Sequence, residues 1–593
     1  MNFIEKINNI LKEFAVGDKL IAYKKFKKLY LKNNKNIKMR YNLAVMEQEI
    51  GFLKEAELNY KYLIKNNNDL KSKINLYNIY FTKNLFSKAL EILIDIESEN
   101  PDLYDIKQDK AYALFRLKNY KQSIIECENL INHDKNNIIL LNTLGLNYFS
   151  LKDYEKAKNF FLEALKLDKD DISVLNSLGR LFHETKKPDE AEKFFSKALI
   201  LDPNKFETLN NYAGFCLEES QYSKAIDFYK KAEILNPNNS VIINNLSKAF
   251  SSLGDDKNAE KYCKKALSLD PDNDDFKKTY SLILLKQYNF DSAWKYFDGR
   301  LGLSDFFNKN SNFNIVKDKL LKQNFIKDNS KILVIREQGV GDEILYGTMY
   351  NSLLSKHKNV VIECDSRLLP LFRYTFKDNS SSKFVSLGTF SENIEKLEKF
   401  DHVVYAGSLG KFFRKNIKSF PKAPYLKITN DYNDSELETY IAKNKNLKIG
   451  ISWKSFKNRY AKEKSLKLED FTYLLDQKNC IFFNLQYGDI KDELNEFLNN
   501  NNKKIITLKN LDLFNNLVGV ANLLSKLDIF FTVSNSTAHL AGSLGVKTYL
   551  IKPVNHASYH YWNYENSKTP WYNSVTIINK EDVNNLKFIK KIF

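Results

Sequence analysis

Ala157, Ala191, Ala225, Ala259 and Ala293 follow one another at a step of 34 residues, and Ala164, Ala198, Ala232 and Ala266 keep the same step. Pro203, Pro237 and Pro271 repeat in phase, and the place between paired alanines holds Phe161, Phe195, Tyr229 and then Cys263. A period of this length belongs to a helix–turn–helix unit, which cannot bury its apolar face alone and must stack on its neighbours. The small residues let two helices cross closely, and proline starts the turn into the next unit. Fainter copies at Ala22, Ala56, Ala89 (with Pro101) and Ser123 extend the array upstream. We therefore expect an all-α superhelix of about nine helix pairs over residues 1–300.

This period and pattern resemble the tetratricopeptide repeat. In such an array the first helix of each pair lines a concave surface, and Asn142, Asn176, Asn210 and Asn244 recur on that helix at the same step, with Asn211 and Asn245 beside the last two. A primary amide both donates and accepts, so a column of them suits the backbone of an extended peptide whatever its side chains. The column resembles the asparagine ladder of O-GlcNAc transferases, whose position beside a Leu-Gly pair fits Asn211 and Asn245 better than Asn142 and Asn176. The same residues also suit a merely polar helix face in a chain rich in Asn. Asp272-Asn273-Asp274, which imitates a carboxylate metal pair, follows Pro271 where turn-formers belong, and no metal site is expected.

At 593 residues the chain is too long for one core, so a second domain follows the array. Phe290–Arg300, FDSAWKYFDGR, keeps the repeat phase through Ala293 and Phe297 but adds Trp294 and Arg300. It resembles the last repeat before the catalytic domain of repeat-bearing glycosyltransferases, where Trp294 packs at the junction. Residues 301–329, polar and rich in Asn and Lys, read as a connection.

Lys331–Glu337 is a strand, followed at once by Gln338-Gly339-Val340-Gly341-Asp342. Gly339 and Gly341 let the backbone turn sharply into a helix with Asp342 near its start, at the carboxyl edge of a sheet. Further strands at Val360–Cys364 and Asp401–Tyr405 make residues 330–435 one doubly wound unit. A second unit fills 445–593. It opens on the strand and loop Ile449–Ser455, which contains Ser452, and continues through the strand Ile481–Leu485 with Gln486 and Tyr487 beyond it.

Asp528–Pro553 completes that unit as strand, loop, helix and strand. Ile529–Val533 is a β-rich apolar run, and Ser534, Asn535, Ser536 and Thr537 crowd helix-capping side chains into one turn. A helix of small residues then runs from Ala538 to Leu544 before Gly545 ends it. Such a loop presents N–H groups and hydroxyls that receive a phosphate, with His539 as a further donor. The same residues also suit an ordinary buried unit whose Ser and Thr only cap the helix.

The stretch resembles the nucleotide-sugar motif of heptosyltransferase-like enzymes and of bacterial glycosyltransferases with tetratricopeptide repeats, which commonly carry Asp where this chain has Asn535. The Gly339–Asp342 loop resembles the GxGD loop of the same enzymes. Over roughly residues 285–575 the resemblance implies a GT-B architecture, two Rossmann-like halves facing across a cleft. It makes Asp342 the catalytic base. Donor binding falls to Gly339, Gly341, Ser452, Lys464, Gln486, Tyr487, Asn535, Ser536, Thr537 and His539. Lys454, Arg459 and Lys464 follow the first strand of the second half and are candidates for stabilising a leaving diphosphate, with a solvated Lys the plain alternative. His560-Tyr561-Trp562 and Ser567–Tyr572 resemble the segments closing the repeat-bearing family, and Trp562 and Trp571 read as packing.

The expected activity is transfer of a sugar from a nucleotide-sugar donor, without metal or other cofactor, to a protein acceptor held by Asn142, Asn176, Asn210, Asn211, Asn244 and Asn245. Flagellin is the first acceptor suggested by similar bacterial enzymes. The alternatives are transfer to a lipid-linked or polysaccharide sugar, and an inactive scaffold. An excess of Lys and Arg (91 against 73 acids, net +18) attracts anions, yet no block of like charge is dense enough for nucleic acid to be the expected partner. No window holds the ~18 uncharged apolar residues of a membrane span, so membrane contact is at most peripheral. Cys127, Cys216, Cys263, Cys364 and Cys480, far apart and without a CxxC pair, read as free thiols in a reducing compartment. With no cleavable signal pattern at the start, the cytoplasm is expected.

Overall fold

The computed structural model describes residues 3–302, 316, 319–320, 330–378, 383–428, 434–443, 445–456, 464–552, 560–562, 567–583, 585, 588–589 and 592. Arg459, Pro553 and most of the 301–329 connection lie outside the described residues. The chain divides into two compact units, Met1–Phe215 and Cys216–Phe593, so the boundary falls inside the repeat array.

Eighteen helices succeed one another from Phe3–Val16 to Phe290–Phe297. The first helix of a pair is commonly started by an Asn or Asp side chain: Asn137 accepts from Leu140 N–H at 3.0 Å and Asp171 from Val174 N–H at 2.8 Å, each satisfying one orphan amide of a helix start. Ala157, Ala164, Ala191 and Ala198 are fully buried, as expected of helix-crossing residues. The crossing also needs glycine. A Cβ on Gly145 would lie 2.3 Å from Phe161, and one on Gly179 would lie 2.7 Å from Phe195.

One regularity was invisible in the residue types. Asn84, Lys118, Lys152, Lys186, Ser220, Gly254 and Tyr288, again 34 residues apart, all adopt left-handed backbone with φ between 56° and 87°. The turn between paired helices imposes this conformation on whichever residue arrives there, at a cost of about 1 kcal/mol where it is not glycine.

Within the second unit, strands β1 (Ile332–Ile335), β2 (Val360–Cys364), β3 (Lys383–Ser386) and β4 (His402–Tyr405) form a parallel sheet in the order β3-β2-β1-β4. Strands β5 (Leu447–Ser452), β6 (Cys480–Asn484), β7 (Ile529–Thr532), β8 (Thr548–Ile551) and β9 (Val575–Ile578) form another, ordered β6-β5-β7-β8-β9. Parallel strands are covered on both faces and read as continuous apolar runs, and every residue of β1 and β7 is buried. β3 and β9 were not anticipated. KFVS and VTII are too short to stand out, and their pairing with β2 and β8 defines them. In each sheet β1 or β5 lies where the strand order reverses, the place at which ligand-binding loops gather in such folds.

Trp294 packs at the junction, as expected. Its Nε1 donates to Arg414 O at 2.7 Å, and its ring lies against Gly410, where a Cβ would come within 2.5 Å. Arg300 goes further than expected. It is buried and forms a two-pronged pair with Glu337 at the end of β1, Nε to Oε2 at 2.8 Å and Nη2 to Oε1 at 2.7 Å. The end of the array is thereby fixed beside the loop that carries Asp342.

Candidate functional site

A cavity of about 260 Å³ lies between the two sheets of the second unit. Gly339, Gly341, Asp342 and Arg367 line it from the first half, and Lys464, Tyr487, Phe514, Asn535, Ser536, Thr537 and His539 from the second. Two loops about 200 residues apart in the sequence thus face one cleft, each at the carboxyl end of its own parallel sheet.

The first wall is the start of the Val340–Gly347 helix. Asp342, 8% exposed, accepts the Gly339 N–H on Oδ2 at 3.2 Å. The left-handed residue of the turn is Gln338 (φ 65°), not a glycine. Gly341 is required for a different reason: a Cβ there would stand 2.9 Å from His539 Cδ2 and 3.4 Å from Ser536 Cα. The second wall is the Ser536–Leu544 helix. Asn535 caps it, Oδ1 accepting from Ala538 N–H at 3.0 Å, and Gly545 closes it at φ 82°. His539 is packed against Tyr561, Trp562 and Tyr572, with the Tyr572 hydroxyl 3.2 Å from Nδ1 and the Cδ2–Nε2 edge against Gly341. Trp562 is fully buried and donates to Ser534 Oγ at 3.0 Å, so its role is packing, while its neighbour Tyr561 lines the cleft.

Ser452 and Gln486, expected to touch the donor, instead support the loop from beneath. Gln486 Oε1 accepts from Ser452 Oγ (3.1 Å) and from the N–H groups of Trp453 (2.8 Å) and Lys454 (2.6 Å). Asn535 Nδ2 donates to Ser452 Oγ at 2.8 Å. Both residues are buried, and a buried amide or hydroxyl takes whatever partners enclose it. Lys454 pairs with Glu493, whereas Lys464 is buried in the cleft wall.

The asparagines of the array also divide. Asn176 is buried and donates to Thr208 Oγ1 at 2.9 Å; Asn244 is buried and donates to Asp275 at 2.9 Å; Asn142 accepts from Ser177 Oγ at 2.9 Å. These side chains link neighbouring repeats. Asn210, Asn211 and Asn245 are half-buried.

Arg367 and Phe514 were missed. Arg367 follows β2, is clamped by Asp365 (Nε to Oδ1 2.8 Å, Nη2 to Oδ2 2.9 Å), donates to Phe514 O at 3.1 Å and stacks 4.9 Å above the Phe514 ring. Nothing in the local sequence marks either residue. Behind Asp365, Arg336 bridges to Glu343 (Nε to Oε1, 2.6 Å) and to Asp365 (3.1 Å). Burial pushes the Glu343 carboxyl up to about 7, against the pull of Arg336. A carboxyl raised in the folded state binds its proton more tightly there than in the unfolded chain. Stability from this group is therefore full below the unfolded value near 4.5 and is lost as pH rises through 7. Urea denaturation at pH 5 and pH 8 should show the parent protein losing up to about 3 kcal/mol more than Glu343→Gln across that interval. Equal losses would refute the assignment.

Fold and site together define a tetratricopeptide-repeat protein with a two-sheet, Rossmann-like α/β region. Two tetratricopeptide repeat models match, one over residues 139–171 and the other over 172–205 and 242–273. The chain is similar to Protein FlbA of Caulobacter vibrioides, 25% identical over 259 residues, which are 41% of this chain and 42% of that protein, so it spans about two fifths of that relative's length. Among solved structures it resembles PilF of Pseudomonas aeruginosa (26% identity, 28% of this chain and 75% of that one, TM-score 0.27). It also resembles a tetratricopeptide repeat protein of Parabacteroides merdae (17% identity, 44% of this chain and 96% of that one, TM-score 0.32). Among the described residues, no helix is long and apolar enough to cross a membrane.

Proposed function

We propose that this protein transfers a glycosyl group from a nucleotide sugar to a protein acceptor presented by the repeats, in the manner of a GT-B glycosyltransferase. The observation that carries this reading is the cleft in which the Gly339–Asp342 loop and the start of the Ser536–Leu544 helix face each other. Asp342 takes the proton of the acceptor hydroxyl as its oxygen bonds to the sugar's anomeric carbon. The bond from that carbon to the diphosphate oxygen breaks. The charge left on the diphosphate is received by Lys464, His539, the hydroxyls of Ser536 and Thr537, and the positive helix end. The role falls to the protein's own cations and amides, with no metal called on.

The last repeats support a protein acceptor. The Asp274–Lys286 helix contacts the His560–Trp562 turn, whose Tyr561 lines the cleft, so the end of the array lies beside the chemistry. Asn211 and Asn245, each half-buried in its own unit, are the asparagines we assign to the acceptor. Asn211→Ala with Asn245→Ala should weaken acceptor use severalfold and spare donor hydrolysis, whereas Asn176→Ala, which strips the Thr208 hydroxyl of a partner, should lower stability by about 1 kcal/mol. Equal loss of both activities in the first variant would contradict a groove role.

The deciding test is a panel of nucleotide sugars, read by calorimetric binding and by release of nucleoside diphosphate. Absence of both would end this reading. Mass spectrometry of glycoproteins with and without the gene, flagellin first, then separates a protein acceptor from a lipid-linked or polysaccharide one. An inactive scaffold remains the alternative suggested by Asn535, and donor binding without turnover would select it.

A further inference from the structure

We infer that the base of the nucleotide donor stacks in an aromatic corner made by Tyr487 and Phe514, which grips bases by their faces. This rests on the nucleotide-sugar reading above and adds to it the way in which the donor is selected. Phe514 lines the cleft yet is 54% exposed. Its exposure is built: Asp512 Oδ1 accepts the N–H groups of Phe514 (2.9 Å) and Asn515 (3.0 Å), holding the loop so that the ring stands out. Tyr487 meets Phe514 at a centroid distance of 6.0 Å and an angle of 52°, and meets the exposed Phe456 at 5.9 Å. Gly488 permits the latter approach, since a Cβ there would lie 2.4 Å from the Phe456 ring.

Tyr487 interacts with Ser536 at the helix start, where the phosphates belong, and also meets the Phe514 ring, so it links the two places. Leu513, Leu517 and Arg367 line the same cleft. Arg367 Nε and Nη2 donate to Asp365 and Nη1 donates to Phe514 O, which holds the guanidinium against the ring. Paired aromatic rings offer a π-face to every base, which makes stacking tolerant of base identity.

Calorimetry with ADP, GDP, UDP, CDP and inorganic pyrophosphate tests this. The four nucleotides should bind within about tenfold of one another, and Phe514→Ala should weaken all four by about tenfold while leaving pyrophosphate unchanged. Phe514→Trp, which keeps a platform, should retain the affinities. A preference beyond about a hundredfold for one base, or nucleotide affinities unaltered by Phe514→Ala, would overturn the inference while leaving the nucleotide-sugar reading intact. Failure of every nucleotide to bind the parent protein would overturn both.

Discussion

Asp342→Asn is expected to reduce sugar transfer by about a thousandfold, within the range of general-base deletions, with donor affinity nearly unchanged. The substitution isolates the chemistry because Asp342 also has a structural duty. Its Oδ2 accepts the Gly339 N–H at the start of the Val340–Gly347 helix. An amide oxygen can still accept that bond, so the loop keeps its shape while the basic oxygen is lost. His539→Ala should behave differently. The imidazole fills the space between Gly341 and the rings of Tyr561, Trp562 and Tyr572, so its removal opens the donor wall itself. Donor binding and turnover should then fall together, by about tenfold or more. Single-turnover rates and donor dissociation constants of the two variants settle the assignment. Loss of donor affinity in Asp342→Asn, with none in His539→Ala, would require the roles of the walls to be exchanged.

Glu337→Gln should cost about 3 kcal/mol of stability, the usual result of breaking a buried ion pair from one side. Glu337 Oε1 accepts from Arg300 Nη2 and from Gly407 N–H at 2.5 Å, and the carboxylate side chain is wholly enclosed. Arg300 also holds Asp298 (3.1 Å) and Ser408 Oγ (2.9 Å), so its guanidinium would stay buried after the change. The joint replacement Arg300→Met with Glu337→Leu removes both charges and should recover much of the loss. Trp294, Trp453, Trp562 and Trp571 all lie in the Cys216–Phe593 unit, so tryptophan fluorescence during urea denaturation follows the part concerned. A single variant as stable as the parent would show that the pair is not an anchor.

The repeats were legible because their information is local and periodic: alanines that must touch the next helix recur at a fixed step. The parallel sheets were legible where apolar runs met helix-capping residues, as at Ile529–Val533 and Asn535. β3 and β9 were not, since a four-residue strand is defined by its partner. The cleft was half legible. Asp342, Ser536, Thr537 and His539 announced themselves through loop chemistry, and the structure brings them together. Ser452 and Gln486 share that loop chemistry but are buried and bond to each other and to the Trp453 N–H.

The sequence by itself determined a helical array at a 34-residue period, two Rossmann-like units after it, and the loops that carry their polar groups. Only the tertiary structure decided that Asn176 and Asn244 join helices, that Gly341 makes room for His539, that Arg300 pairs with Glu337, and that Arg367 lies on Phe514. Each of these depends on a neighbour well beyond the next turn of chain, whereas caps, crossings and apolar runs are set by residues a few positions away. A side chain's propensity is written beside it. Its partner across a cleft is chosen by the packing of everything between.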